Sequence, residues 1–334
     1  MKTDSAAPPA PDTLGVVVIG RNEGERLRAC LTSAVREACH LVYVDSGSSD
    51  GSVALARSLG AETHSLDPGT QFSAARARNE GREWLRRMQP HLTYVQFVDG
   101  DCELCAGWLA DAAEFLDVHS DTAVVSGRLR EKCPDRSVFN TLAQLDWDVP
   151  TGEVRNCGGN AMMRVGAFDR VNGFRTDLIA GEEPELCLRL LREGWRIWRL
   201  DRDMAVHDLA MSQFGQWWKR ARRSGHAFAE GVALHGARPE RHYVREYWSA
   251  LLWGLLLPLL TVALIALYGP PGALLLVVYP VQVVRLALRG NRSARENWLR
   301  GLFLVIAKFP EMLGVLLFHI RRVLGQRPRL IDYK

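Results

Sequence analysis

The stretch Tyr94-Val95-Gln96-Phe97-Val98-Asp99-Gly100-Asp101 decides how the rest of the chain is read. β-favouring and apolar residues run straight into two carboxylates separated by one glycine. Such a run predicts a buried strand, and open α/β sheets bind ligands beyond the carboxyl ends of their strands. Two aspartates at i and i+2 can aim their oxygens at one hard cation, with Gly100 letting the backbone turn between them. Asp-Gly-Asp is also ordinary turn chemistry, so the motif takes its meaning from what surrounds it.

Upstream, strand, loop and helix alternate. Leu14–Ile19 is a β-branched run, followed by the polar loop Gly20-Arg21-Asn22-Glu23-Gly24 and a helical pattern over Glu25–Glu37. Leu41–Val44 forms a second strand ending in Asp45-Ser46-Gly47-Ser48-Ser49-Asp50-Gly51-Ser52. A helix through Leu59, a short strand Ala61–Ser65 and a helix from about Phe72 to Met88 lead back to the opening strand. This alternation predicts an α/β fold with a mostly parallel sheet and helices on both faces. Right-handed crossovers put every strand's carboxyl end on one rim, so Arg21–Glu23, Asp45–Asp50 and Asp99–Asp101 converge there. Asp45 can accept hydrogen bonds from a ribose or base, and Arg76 and Arg78 place cations near the start of a helix. The first loop has neither the G-x-G-x-x-G spacing of dinucleotide folds nor a Walker Gly-Lys-Ser/Thr.

Composition narrows the field. A net charge of +4 over 334 residues gives no reason to expect a nucleic-acid partner. The seven cysteines are odd in number and scattered, as reduced thiols are, and Cys102 and Cys105 form a C-x-x-C without a second pair. The Pro/Ala-rich residues 1–12 are expected to be disordered, and they lack an apolar signal core, which predicts a cytosolic first domain.

The segments Val16–Glu23, Val44–Ser52, Ala77–Gly81 and Asp99–Asp101 follow one another in an order and spacing that resemble the family 2 nucleotide-sugar glycosyltransferases, which have the GT-A fold. The resemblance continues through Gly158–Arg164 with Phe168–Phe174, and through Gly181–Leu190, and covers roughly Leu14 to Gly231. It implies that Arg21, Asn22, Glu23, Asp45, Arg78 and Asp99 bind the donor. It also implies that Asp101, and less directly Asp99, hold Mg²⁺ or Mn²⁺ on the donor diphosphate, with His207 matching a histidine that many relatives bring to the metal. Glu183 aligns with the general base of inverting members. Relatives usually carry Glu-Asp where this chain has Glu182-Glu183, which leaves open which of the two reaches the acceptor. Asp45-Ser46 replaces a common pair of acids, so the nucleotide base stays open. Gly159 and Asn160 fall in the segment on the acceptor side. Gln216-Trp217-Trp218-Lys219-Arg220 lacks the tryptophan after arginine found in processive synthases, which favours transfer of single sugars. Trp217, Arg220 and Arg223 are expected to meet acceptor, diphosphate or anionic lipid, and an interfacial amphipathic helix accounts for them equally well.

Near Tyr247 the chain turns apolar. Trp248–Tyr268 is long enough to span a bilayer, Gly269-Pro270-Pro271-Gly272 is a turn, and Ala273 to about Val284 is a shorter second span. The turn carries no basic residue, whereas Arg285, Arg289, Arg292, Arg295 and Arg300 follow the second segment. The positive-inside rule therefore puts those arginines on the catalytic side. Trp298–Ile320 is interrupted by Lys308-Phe309-Pro310-Glu311 and is expected to be interfacial or re-entrant, keeping Arg321, Arg322, Arg327 and Arg329 cytosolic. The expected order is thus a catalytic domain over 13–232, a linker over 233–246, a transmembrane hairpin over 247–289, and an interfacial helix with a basic tail over 290–334. The expected activity is inverting transfer of a sugar from a nucleotide-sugar donor to a lipid-linked or glycan hydroxyl. It would take place on the cytoplasmic face of the inner membrane, in cell-envelope or exopolysaccharide synthesis and in contact with membrane lipids. Transfer to polyprenyl phosphate, and sugar-nucleotide binding without turnover, are the alternatives.

Overall fold

The computed structural model describes residues 12–38 and 40–325; most of the amino-terminal segment, together with Arg327 and Arg329, lies outside the described residues. The chain divides into two compact units. The first takes the chain through Pro134, Asp146–Thr176 and Glu182–Ala210, and the second takes Asp135–Leu145, Asp177–Gly181 and the chain from Met211 onward.

The first unit is a nine-stranded mixed sheet. Its strands are β1 (Leu14–Gly20), β2 (His40–Asp45), β3 (Glu62–Ser65), β4 (Tyr94–Asp99), β5 (Cys102–Leu104), β6 (Thr122–Glu131), β7 (Gly152–Glu153), β8 (Ala161–Arg164) and β9 (Arg196–His207). They lie in the order β3-β2-β1-β4-β8-β6-β9-β5, with β7 beside β9. β3, β2, β1 and β4 run parallel, as do β6 and β9, while β8 is inserted antiparallel between β4 and β6. The central strands read as unbroken apolar runs because both faces are covered. Val16 and Val18 pack into one core with Leu27, Leu31, Tyr43 and Trp108. Val17 and Ile19 pack into the other with Leu85, Phe97, Phe168 and Leu186, the period-2 alternation that a pleated strand imposes. Phe97, Phe168 and Phe174 close this second core as a triangle of rings with centroids 5.4 Å apart. Each such pair contributes about 0.5–1.5 kcal/mol beyond its area burial.

Helices α1 (Glu25–Val35), α2 (Ser52–Ser58), α3 (Ala74–Met88), α4 (Trp108–Val118), α5 (Val138–Trp147), α6 (Val165–Arg170) and α7 (Glu182–Arg192) connect the strands, with α5 passing from one unit to the other. The α3 helix comes close enough to the sheet that a side chain at Gly81 would collide with Val17 and Val44. Register sets the rim. Gly20 pairs with Asp45 and Ile19 with Asp99, so β1, β2 and β4 end level. His207 pairs with Glu131 on one side and Cys102 on the other, so β5, β6 and β9 bring three chemically active residues into one row.

The second unit is helical. α8 (Phe214–His235) meets the last helix where Gly225 faces Glu311 and Gly314 faces Arg222 and His226, at a spacing no side chain would fit. Phe139 and Trp217 pack against Phe303 in an aromatic cluster. Among the described residues, three helices are long and apolar enough to cross a membrane: Val244–Tyr268, Pro270–Arg289 and Ala294–Val323. The first widens to a π-turn over Leu252–Leu256, directly ahead of Pro258. A proline inside a helix lacks its N–H and crowds the carbonyl four residues back, and a wider turn relieves both. The Gly-Pro-Pro-Gly segment expected as a plain turn already begins the second helix as a 3₁₀ run, Pro270–Val277. In the third, Lys308 and Glu311 are joined by a 2.6 Å ion pair, so the two charges that interrupt the apolar run neutralise each other one turn apart.

Candidate active site

The motif that ends β4 is shaped by backbone before side chains. The Gly100 amide donates to the Ile19 carbonyl at 2.7 Å, and a Cβ at Gly100 would stand 3.0 Å from that same oxygen. The turn that follows delivers Asp101 into a buried pocket, where its backbone carbonyl accepts from the Asp208 amide at 2.9 Å. Asp101 Oδ1 lies 3.4 Å from His207 Nε2. Glu131 Oε2 lies 3.7 Å from His207 Nδ1, and Trp147 packs edge-on against the imidazole at 4.7 Å. Glu131 also accepts from the amides of Cys133 and Leu209, which ties the ends of β6 and β9 together. Ligand atoms of Asp101, Cys102 and His207 all lie within 4.8 Å of one another. Burial, and after it the charges of Asp101 and Asp99, push the Cys102 thiol well up. The Asp101 carboxylate and the His207 imidazole are donors suited to a hard divalent ion.

Asp99 faces the other way. Its Oδ1 accepts from Arg78 Nη2 at 2.7 Å, and Arg78 Nη1 reaches Glu182 Oε1 at 3.0 Å. The guanidinium is fully buried. Burial by itself would lower its proton affinity, but the two carboxylates outweigh that and raise it, so Arg78 is a fixed cation. A Cβ at Gly159 would come within 2.7 Å of Arg78 Nη2 and 3.0 Å of Asp99 Oδ2, which explains a glycine there. The Asn160 side chain accepts from the Asp99 amide at 2.8 Å and donates to Cys102 Sγ at 3.3 Å.

Helix α7 opens with Glu182 and Glu183, followed by Pro184 in the first turn, where proline fits and carboxylates oppose the helix dipole. Glu183 is buried. Its Oε1 accepts from the Cys157 amide at 2.6 Å and from the Cys187 thiol at 3.2 Å, and the two sulfurs are 3.6 Å apart. The hydrogen bond to Cys187, then burial, holds the Cys157 thiol well above its usual range, and burial pushes Cys187 to about 11.

The first two loops are stitched to each other. The Asn22 amide donates to Ser48 Oγ, the Ser49 amide donates to Asn22 Oδ1 at 2.8 Å, and the Gly24 amide donates to Asp50. Asp45 accepts from Tyr43 OH and from the Gly47 and Ser48 amides at 2.9–3.0 Å, so its oxygens shape the loop. Glu23 is buried in a 2.8 Å pair with Arg26, whereas Arg21 is exposed, with its guanidinium over the Phe72 ring.

The structure therefore gathers Asp101 with His207, and Arg78 with Asp99, Gly159 and Glu182, while Glu183 lies one residue along in a pocket of its own. Trp217, Arg220 and Arg223 are on α8, in the second unit. Two features escaped the reading of the sequence. Glu131 closes a β-run as Asp99 does, but in an alternating polar and apolar stretch that reads as an exposed edge. Cys157 and Cys187 carried no signal, being thirty positions apart in a loop and a helix.

A GT-A type sheet with an acidic rim, followed by helices long and apolar enough to cross a membrane, is the architecture of a glycosyltransferase. The match to the model described as glycosyl transferase family 2 spans residues 15–171, and the chain belongs to that family. It is 30% identical over 234 residues to the succinoglycan biosynthesis protein ExoA of Rhizobium meliloti (strain 1021), covering 64% of this chain and 67% of that one. Its fold is similar to that of the mannosyltransferase PcManGT from Pyrobaculum calidifontis, solved in complex with GDP-Man and Mn²⁺. The TM-score is 0.55 at 18% identity, over 96% of this chain and 91% of the other.

Proposed function

We propose that this glycosyltransferase moves a single sugar from a nucleotide-sugar donor to a hydroxyl of a lipid-linked or glycan acceptor, with inversion, using Mg²⁺ or Mn²⁺. The observation that carries the proposal is the two-sided engagement of Arg78. One buried guanidinium holds Asp99, two residues from Asp101, and Glu182, next to Glu183. The donor end and the acceptor end of the reaction are thereby fixed to a common cation, as in-line transfer requires of its two partners.

Asp101 and His207 would hold the metal, with the Glu131 carboxylate facing the far nitrogen of the imidazole at 3.7 Å. When bound, the ion would stabilise negative charge on the departing nucleoside diphosphate. Arg21, exposed in the first loop, would meet donor phosphate, while Asn22 ties that loop to the second, which Asp45 shapes. Glu183, buried at the start of α7, takes the proton of the acceptor hydroxyl as it attacks. Glu182, paired with Arg78, positions its neighbour.

An amphipathic acceptor is supported within the second unit. A cleft of about 800 Å³ is lined by Val138, Val283, Trp298, Leu299 and Leu302, with Arg295 and Asp135 as its charged groups. Its apolar lining suits a lipid tail. With the three apolar helices and the exopolysaccharide relative, this supports work at the cytoplasmic face of the inner membrane, on envelope or exopolysaccharide intermediates.

The test is a panel of sugar nucleotides assayed by thermal stability with and without Mn²⁺, since a donor at a hundred times its Kd stabilises by about 2.7 kcal/mol. Asp101→Ala should abolish the metal-dependent part of that shift. Glu183→Gln should keep donor binding and lose on the order of 10²–10⁴ in turnover, the usual contribution of a general base. Full turnover in Glu183→Gln would favour polyprenyl phosphate as acceptor, because a phosphate is already ionised and needs no base.

A further inference from the structure

Cys157, Cys187 and Glu183 present two sulfurs and one carboxylate oxygen within 4.8 Å of one another, in a part of the first unit that sugar transfer does not call on for thiols. The spacing is informative. A disulfide needs its sulfurs about 2 Å apart, whereas these stand at 3.6 Å. Two thiolates on one tetrahedral zinc, each about 2.3 Å from the ion, are separated by about 3.8 Å, and a thiolate and a carboxylate by about 3.5 Å. The corresponding distances are 3.6 Å between the sulfurs and 3.2 Å from Cys187 Sγ to Glu183 Oε1. The pocket is thus close to zinc dimensions before any metal enters. Cys187 and Glu183 are buried and preset by the helical i, i+4 spacing of α7, while Cys157 is only partly buried and gives an ion a way in. Soft thiolates select zinc over magnesium, in contrast to the carboxylate and imidazole at Asp101 and His207.

We infer that Cys157, Cys187 and Glu183 form a Zn²⁺ site, three-coordinate from the protein with a fourth position for water, and that zinc there inhibits sugar transfer by capturing the Glu183 carboxylate. Binding converts two thiols to thiolates and releases two protons to solvent, with no change of oxidation state. The metal site rests on the geometry alone. The inhibition rests also on the reading of Glu183 as the base, and the two can fail separately.

Cobalt is the probe for the site. One equivalent of Co²⁺ added to the reduced full-length protein in detergent should give thiolate-to-cobalt charge-transfer absorption and the visible bands of tetrahedral coordination. Zn²⁺ should bleach both. The charge-transfer signal should fall by at least half in Cys157→Ser and in Cys187→Ser. Cys157 lies in a loop, so its variant keeps the test decisive should the buried Cys187 position not tolerate change. An unaltered spectrum in Cys157→Ser, no charge-transfer band in the wild type, or a Cys157–Cys187 disulfide in the mass of the freshly purified protein would each overturn the site. For inhibition, stoichiometric Zn²⁺ in the presence of excess Mn²⁺ should lower wild-type turnover at least tenfold, and Cys157→Ser should retain most of its own zinc-free rate. Cobalt binding at these residues with turnover indifferent to zinc would leave the metal site standing and overturn Glu183 as the base. Equal inhibition of both proteins would place the inhibitory ion elsewhere and overturn the regulatory role.

Discussion

The two acidic pairs of this enzyme are built alike and end differently. In Asp99-Gly100-Asp101 and in Glu182-Glu183, the first acid is held by Arg78 and the second is turned into a pocket of its own. Asp101 then meets an imidazole backed by a carboxylate, and Glu183 meets a backbone amide and two thiols. The shared cation sets position and the separate surroundings set chemistry. One pocket offers hard donors, and the other a proton acceptor whose neighbours are neutral and soft.

Arg78→Ala breaks the comparison at its root and should have the largest effect. It leaves two carboxylates without their cation, and removing one partner of a buried ion pair costs about 3–5 kcal/mol. The low end applies, because Asp99 is a third exposed and water takes up part of its charge. Denaturant unfolding should register the loss, and turnover should fall on the order of 10²-fold or more even where the protein is folded, since both acids shift. A double-mutant cycle with Asp99→Asn and Glu182→Gln should give coupling to each. Coupling to Asp99 alone would mean that Arg78 serves the donor side only, and that the acidic pairs are not joined.

Glu131→Gln acts on one pocket and should be milder. Both Glu131 oxygens accept backbone amides, so glutamine keeps one of these bonds, gives up the other and removes the charge facing His207 Nδ1; partners that orient a ligand histidine are worth about 10–100-fold in metal affinity. The Mn²⁺ concentration for half-maximal turnover should rise by that factor, while turnover at saturating Mn²⁺ stays within a few-fold of wild type. A drop in saturated turnover with no change in metal demand would assign Glu131 a purely structural role at the β6–β9 edge.

What could be read from the chain followed the range over which residues cooperate. The strand ahead of Asp99, the level rim and the loops at Arg21–Glu23 and Asp45–Asp50 rest on periodicity and on neighbours a few positions apart, so they were legible. Arg78 was legible as a cation at a helix start, but its second partner, Glu182, is 104 positions away and only the closed sheet brings them together. Glu131 stands in Arg128-Leu129-Arg130-Glu131, an alternation that reads as an exposed edge, until pairing with β9 sets it against His207. The Cys157–Cys187 contact depends on where a loop settles against α7, and nothing local specifies that. In the last apolar helix, Lys308 and Glu311 counted as two separate costs when read along the chain, although their i, i+3 spacing already allowed one to cancel the other.

The smallest expected effect separates the soft pocket from the exposed Cys133. The Cys187 thiol is raised by burial from 9.0 to about 11, and Cys157 is raised well above its ordinary value by its hydrogen bond to Cys187 and by burial. Thiolate is the reactive form, so near neutral pH both should be alkylated by iodoacetamide far more slowly than the exposed Cys133. Their rates should climb steeply as pH rises towards 11. The same shift bears on stability with a defined sign. The unfolded chain ionises Cys187 near pH 9.0 and the folded chain only near 11, so the contribution is complete below pH 9.0 and is lost as pH rises through that window. Peptide mass analysis after timed alkylation at pH 7 and pH 9.5 distinguishes the cysteines. If Cys157 and Cys187 were modified as fast as Cys133 at pH 7, the thiols would be accessible and ionised. The neutral surroundings assigned to Glu183, and with them the contrast between the two pockets, would then be wrong.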